Sequence, residues 1–212
     1  MDLNFWHQIW EKNHIGFHEG QANSLLVEYI NELLLAEGCR IFLPLCGKSL
    51  DIAWLLSKGY RVAGAELNKC AVEQLFFELG VEPNISKLGN IYCYSAENID
   101  IFVGDIFDLC GETLGFVDAI YDRAALVALP DEIREKYRLH LLEITGVSPQ
   151  LLITFEYDQK LLKGPPFSIS DDDVKQYYVD SYELSLLKKI DVPGGLKGKC
   201  DASENIWLLS NI

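Results

Sequence analysis

RIFLPLCGKSLDIAWLLSKGYRVAGAEL, residues 40–67, reads as one complete strand–turn–helix–strand unit that ends on an acidic residue. Residues 40–45 are a short apolar run suited to a buried parallel strand, 46–49 form a turn, and 50–57 carry apolar residues at helical spacing. Gly59 stops the helix. The second strand, 61–65, delivers Glu66 at its carboxyl end, about 20 residues after the turn, where a carboxylate can accept hydrogen bonds from both hydroxyls of a ribose. This is the outline of a nucleoside-binding half-site.

The turn also limits the ligand. A dinucleotide fingerprint needs G-x-G-x-x-G so that the backbone can approach a pyrophosphate, and this turn offers only Gly47. A phosphate-binding P-loop needs a glycine five residues before the G-K-S, where this chain has Phe42, so Gly47-Lys48-Ser49 is a false Walker motif. What remains is a ligand with a ribose and little or no phosphate. S-adenosylmethionine is the commonest such cofactor on this architecture; the alternative at this point is an α/β domain whose Glu66 caps the next helix.

The 212 residues, 49% hydrophobic, suit a single α/β domain. Against 32 Asp and Glu stand 18 Lys and Arg, a formal net charge of −14, which repels polyphosphate and argues against nucleic acid and anionic membranes as partners. Six cysteines (39, 46, 70, 93, 110, 200) are scattered singly, a pattern of reduced thiols rather than a disulfide frame or zinc site. The amino terminus lacks a basic start before an apolar core, and no run of 18 apolar residues occurs. A soluble, cytoplasmic protein is expected.

Strand and helix patterns alternate along the chain, as a parallel sheet demands. Asn68 caps a helix to about residue 79, and 80–98 read as an irregular insertion with room for a small hairpin. Further strands are expected at 99–104, 117–121, 151–155, 184–190 and 206–210, with helices from Pro130 and over 171–178. Seven strands, mostly parallel and with a final antiparallel pair, flanked by helices on both faces, is the layout of the class I methyltransferase (Rossmann-like) fold. The expected organisation is one domain over 1–212, with 1–39 as an amino-terminal helical cover and 40–212 as the sheet core.

Ligands of open α/β sheets collect at strand ends, and several polar residues fall there. Gly104-Asp105-Ile106-Phe107-Asp108 follows the third strand; an acidic side chain or backbone amide can reach an adenine edge from this position, or Asp105 and Asp108 can act as helix caps. Asp122 and Arg123 sit between an apolar strand and an apolar stretch, and charges held there need partners. Either they form a structural network, or, as we favour, Arg123 faces the cofactor or substrate.

Phe5, Trp6, Ile9 and Trp10 share one face of an amino-terminal helix, which is either core or a lid over the ligand. Gly164-Pro165-Pro166-Phe167 is a stiff turn presenting one ring for structural use or substrate stacking. His14 and His18 are four apart, but the intervening Gly16 argues against the helix that a zinc-binding H-x-x-x-H requires, so no metal is expected.

Across nearly the whole chain the order of FWHQIWEKNHIGFH, PLCGKSLDIAWL (44–55), VAGAEL (62–67), GDIFDL (104–109), YDRAALVALP (121–130), LLITFEYDQ (151–159) and GPPFSI (164–169) resembles the thiopurine S-methyltransferase family, bacterial branch. The resemblance implies S-adenosylmethionine as methyl donor, with S-adenosylhomocysteine as product, and contacts from Trp10, Leu45, Glu66 and Arg123. It also implies backbone contacts near Asp105 and Ile106 and a substrate edge near Phe17. Trp10 and Leu45 rest on the resemblance alone. The chain departs from the family's pattern at Asn68 and Leu75, where relatives often have a serine and an aromatic residue, and in the loop 193–205, where relatives often carry an arginine and this chain has Lys197 and Lys199, which lack the planar fork of a guanidinium.

The implied chemistry asks for no strong base. A heterocyclic thiol reacts as its thiolate or loses a proton readily, so the protein must align it, and Arg123 would favour the anion while Asp122 positions Arg123. The expected protein is a monomeric small-molecule thiol methyltransferase with aromatic or heterocyclic acceptors, selenium and tellurium compounds being further candidates. Alternatives are a binding protein that senses S-adenosylmethionine without turnover, a methyltransferase for another acceptor atom, and a nicotinamide-dependent oxidoreductase, which the missing glycine fingerprint disfavours.

Overall fold

The computed structural model describes residues 20–212. The amino-terminal stretch expected to form a lid, including Phe5, Trp6, Ile9, Trp10, His14, Phe17 and His18, lies outside the described residues.

The unit that anchors the fold forms where its sequence pattern puts it. β1 (Arg40–Leu43), α2 (Leu50–Ser57) and β2 (Arg61–Glu66) follow α1 (Ser24–Tyr29). The Ser49 side chain accepts from the Asp51 amide to cap α2, and α3 (Lys69–Leu79) is capped by Asn68, whose oxygen accepts from the Ala71 amide. Gly80, in the left-handed conformation at φ 71°, ends α3. The chain continues through β3 (Asn84–Leu88), β4 (Ile91–Ala96), β5 (Ile99–Val103), α4 (Gly111–Leu114), β6 (Ala119–Arg123) and α5 (Asp131–Thr145). It closes with β7 (Gln150–Tyr157), α6 (Asp171–Tyr178), β8 (Tyr182–Asp191) and β9 (Ala202–Asn211).

Among the described residues all nine strands join one sheet in the order β3-β4-β5-β2-β1-β6-β7-β9-β8. The five central strands, β5-β2-β1-β6-β7, are parallel; β9 is antiparallel to β7, and β8 to β9. The expectation of seven strands is therefore corrected to nine. The two extra strands come from the 80–98 insertion, whose hairpin does not stand apart: β4 pairs antiparallel with β5 from Tyr92↔Val103 to Ala96↔Ile99 and widens the sheet. Every residue of β3 is exposed, so its sequence carries none of the apolar alternation that marks a half-buried strand.

Alternation along the central strands sends side chains to two cores. Phe42, Ala63, Phe102, Ile120 and Leu152 pack toward α5 and α6, with Tyr137, Leu141, Val174 and Tyr178. Ile41, Leu43, Val62, Ile101 and Leu151 pack on the other face with Leu25, Leu26, Ile52, Leu55 and Phe76. Residues 25–33 thus contribute to the sheet's packing, since Leu25, Leu26, Ile30 and Leu33 are buried there. Between β1 and β6 the chain reverses its order of strand addition, and at such a switch point the connecting segments diverge and leave a crevice at the carboxyl ends.

The amino ends of the strands are locked by Arg40. Its guanidinium pairs with Asp100 at 2.8 Å and donates to the carbonyls of Leu114 and Phe116, while its backbone N–H donates to Asp118 at 2.6 Å. Removing one partner of such a buried network leaves carboxylate and carbonyls unmatched. Arg40→Ala should cost about 3 kcal/mol of stability in urea unfolding while leaving S-adenosylhomocysteine affinity unchanged, because this lock is at the end of β1 away from the crevice. A loss below about 1 kcal/mol would show that Arg40 is not the lock.

Candidate active site

The backbone departs from ordinary geometry where the crevice opens. Leu45, after β1, has φ 48°, and Ala124, directly after Arg123 at the end of β6, has φ 62°. Side-chain-bearing residues rarely adopt the left-handed region, and strain of this kind concentrates at functional sites. At Gly104, after β5, φ is 150°, and a Cβ there would fall 2.6 Å from Ile91 Cγ2. Leu45 is half-buried and packs against the core.

Glu66 binds the first turn to the second. Its Oε2 accepts from the Gly47 amide at 2.8 Å, and its Oε1 accepts from the Asn68 amide at 2.7 Å. The cap of α3 is Asn68, so Glu66 bridges two loops instead. Burial pushes the Glu66 carboxyl above its usual range, while the Asn68 and Gly47 amides draw it back. A carboxylate offers about four lone-pair positions, so these amides do not exhaust its capacity as an acceptor. Cys46 lies beside this carboxylate, and burial together with the Glu66 charge raises its thiol well above the ordinary value. Lys48 is turned out of the crevice to Glu78 on α3 at 2.7 Å. The G-K-S sequence therefore holds no phosphate cradle.

On β6, Asp122 and Arg123 were expected to act together, and the structure separates them. Successive residues of a strand point to opposite faces. Asp122, fully buried, accepts from Tyr137 Oη at 2.7 Å and from the Leu126 amide at 3.1 Å, on the α5 side. Arg123 lies on the other face, where Nη1 is 3.5 Å from Asp51 Oδ2. Among the described residues, the carboxylate that Arg123 meets is thus Asp51 and not Asp122. Reading the sequence missed Asp51 and Tyr121, whose hydroxyl donates to Asp51 Oδ2 at 3.1 Å. The available signal was a lone acid in the otherwise apolar stretch LDIAWLL (50–56).

Asp105 is half-buried and its Oδ1 accepts from the Phe107 amide at 3.0 Å, capping a short 3-10 turn; Ile106 is buried, and its carbonyl accepts from His140 Nε2 at 2.7 Å. The Ile106 carbonyl is thus already engaged within the protein. Phe167 donates its amide to the Val127 carbonyl at 2.6 Å, and its ring is stacked 5.4 Å from the Arg134 guanidinium. A Cβ at Gly164 would fall 2.6 Å from that ring, so the glycine admits it. Lys197 donates to the Pro165 carbonyl at 2.7 Å and Tyr157 Oη to the Pro166 carbonyl at 2.7 Å, tying the final loop to this turn. Phe167, Arg134 and Gln159 line a cleft of about 570 Å³ that neither Glu66 nor Arg123 lines. Trp10 and Phe17 lie outside the described residues. Among the described residues no group of His, Cys, Asp and Glu is arranged to hold a metal, and no helix is long and apolar enough to cross a membrane.

Known proteins share this architecture. A family profile described as Thiopurine S-methyltransferase (TPMT) matches residues 1–207. The thiopurine S-methyltransferase of Xanthobacter autotrophicus is 53% identical over 210 residues, covering 99% of each chain. That of Gluconobacter oxydans is 50% identical over 206 residues, 97% of this chain and 94% of the relative. Among solved structures, the 1,6-didemethyltoxoflavin-N1-methyltransferase of Burkholderia thailandensis, with bound 1,6-didemethyltoxoflavin and S-adenosylhomocysteine, matches with a TM-score of 0.67. It is 12% identical, over 99% of this chain and 87% of that one, so the likeness is one of fold. The sheet is the mixed, Rossmann-like sheet of those solved methyltransferases, and the family match and relatives make the class that of S-adenosylmethionine-dependent methyltransferases. Within it, the chain belongs to the thiopurine S-methyltransferase family.

Burial pushes Asp122 from 3.8 up to about 6, although Tyr137 and the Leu126 amide oppose the shift. A carboxyl held above its unfolded-state value binds its proton more tightly in the folded protein. That stabilisation is complete below the unfolded value of 3.8 and is lost as pH rises through about 6. Asp122→Asn removes the titration but keeps the shape. Its stability relative to wild type should therefore rise by up to about 3 kcal/mol between roughly pH 4 and pH 7, read from urea unfolding at each pH. A difference that stays constant with pH would mean that Asp122 does not titrate in this range.

Proposed function

We propose that the protein transfers the methyl group of S-adenosylmethionine to the sulfur of aromatic or heterocyclic thiols such as thiopurines, with selenium and tellurium compounds as further acceptors. The observation that carries this reading is the whole-chain similarity to thiopurine S-methyltransferases, 53% identical over 99% of both chains in one case. The geometry of Glu66 and Arg123 on either side of β1 supports it.

The fit of the cofactor rests on Glu66. A buried carboxylate whose two oxygens are each oriented by a backbone amide, with further lone pairs left, suits the two hydroxyls of a ribose. The turn beside it supplies Leu45 and no glycine-rich cradle, in keeping with a ligand that has no pyrophosphate. Asp105 and Ile106 at the end of β5 border the adenine through their backbone, and Trp10 and Arg123 complete the cofactor contacts. When bound, the cofactor supplies a methyl group already activated on a sulfonium. The protein's part is to bind, orient and exclude water. Arg123 favours the thiolate form of the acceptor, whose proton leaves to solvent, and no general base is required. Phe17 and Phe167 form aromatic walls for the heterocycle.

The same reading makes 1–212 one methyltransferase domain, with 1–39 as its cover, acting as a cytoplasmic monomer on small molecules and not on nucleic acid. The net charge of −14 supports the last point.

With S-adenosylmethionine and 6-mercaptopurine, mass spectrometry should find product methylated on sulfur, with oxygen and amine analogues far slower. Arg123→Ala should lower kcat/KM by about tenfold to a hundredfold, and Arg123→Lys should restore it only in part. Glu66→Gln should weaken S-adenosylhomocysteine binding in calorimetry by about 1.5–3 kcal/mol, since it loses charged hydrogen bonds. Binding without any methylated thiol would favour the sensor, and methylation only of oxygen or nitrogen would replace the acceptor class.

A further inference from the structure

We propose that Asp51 is the positioning residue for Arg123, holding the guanidinium in the direction that a thiolate acceptor or the cofactor requires. The proposal rests on the reading of Arg123 as a group that faces the ligand.

The carboxylate of Asp51 is 2% exposed and meets donors from two other parts of the chain. Oδ1 accepts from the Asn23 amide at 2.7 Å, at the start of α1. Oδ2 accepts from Tyr121 Oη at 3.1 Å and lies 3.5 Å from Arg123 Nη1, both on β6. Asp51 itself is in the first turn of α2, where the helix dipole also favours a negative charge. A buried carboxylate is costly unless its lone pairs are matched, and here a backbone amide and a buried tyrosine match them.

The direction of control follows from stiffness. The Asn23 amide belongs to the backbone, and the Tyr121 ring is 2% exposed in the core, so both hold Asp51 by groups that cannot swing. Arg123 has a long side chain with several rotatable bonds, so it is the member whose place is decided by the pair. A guanidinium carries its donors in one rigid plane, so fixing one corner fixes the direction of the others. Residues 121 and 123 face the same side of the strand because they are two apart, which is why Tyr121 and Arg123 can meet the same carboxylate. The bond to Asn23 adds a second consequence. Asn23 caps α1, so Asp51 also ties the start of that helix to the first turn of α2.

The test is a double-mutant cycle on the full chain, with thiopurine methylation as readout. Asp51→Asn keeps the volume and an acceptor for the Asn23 amide but presents no charge to Arg123. It should lower kcat/KM by about tenfold in the wild type and have almost no effect in an Arg123→Ala background. The loss should also fall on the same parameter, kcat or KM, as the loss in Arg123→Ala. Equal losses in both backgrounds, or a wild-type kcat/KM in Asp51→Asn while Arg123→Ala is impaired, would overturn the proposal. Wild-type rates in Arg123→Ala would instead remove the reading of Arg123 on which it stands, and the proposal with it. Should Asp51→Asn lack a cooperative thermal transition, Tyr121→Phe carries the same test, because it removes only the hydroxyl that holds Oδ2. It should lower kcat/KM about twofold to fivefold in the wild type and leave Arg123→Ala unchanged; an equal fall in both backgrounds overturns the proposal.

Discussion

β1 and β6 lie side by side at the centre of the sheet, yet they pair only through Ile41↔Ala119 and Phe42↔Ile120 before their chains part. β1 pairs with β2 over twice that length, from Arg40↔Arg61 to Leu43↔Gly64. The short pairing is what opens the molecule at one end. Beyond Leu43 the backbone turns through Leu45 and Gly47 toward Glu66, and beyond Ile120 it carries Tyr121 and Arg123 toward Asp51. Two carboxylates, Glu66 at the end of β2 and Asp51 at the start of α2, are thus held near this end of the sheet, the first by two backbone amides and the second by one. Such preorganisation is worth most where the chemistry itself needs only alignment.

Much of this was legible in the order of residues. The unit 40–67 announces its strands, its turn and its terminal acid because buried parallel strands and helices leave distinct apolar periods, and because Gly59 and Asn68 mark where helices end and begin. The exclusion of a P-loop also followed from spacing, and Lys48 is accordingly paired with Glu78. Local reasoning failed where a partner is distant in sequence. Asp122 and Arg123 are neighbours in the chain, but the pleat turns them to opposite faces, so adjacency suggested a partnership that the strand forbids. Asp51 lies 70 residues from Tyr121, a separation that no local pattern reports. The 80–98 hairpin was allowed for but not counted into the sheet for another reason: a strand such as β3, which buries no side chain, leaves no period to read.

The turn at 164–167 is itself built from long-range ties. Phe167 is held by Val127, Gly164 and Arg134, and the carbonyls of Pro165 and Pro166 are taken by Lys197 and Tyr157. Lys197 therefore serves the conformation of a neighbouring loop in this chain. Lysine suffices for that, since a carbonyl needs one donor and not a planar fork.

The β3–β4 hairpin changes how the sheet meets its surroundings. Without it, β5, whose Ile101, Phe102 and Val103 are buried, would form the margin of the sheet, an apolar strand with unpaired amides and carbonyls. The hairpin moves that strand inward and leaves as the margin a five-residue strand with Lys87 lying over the Tyr92 ring at 5.8 Å. At the far margin β8 carries Lys188 and Lys189 and an irregularity between Leu186 and Lys188 that interrupts its register. Short length, charge and a bulge are the features by which sheets resist recruitment of further strands. Both margins of this mixed sheet therefore carry features that oppose pairing edge to edge with another copy.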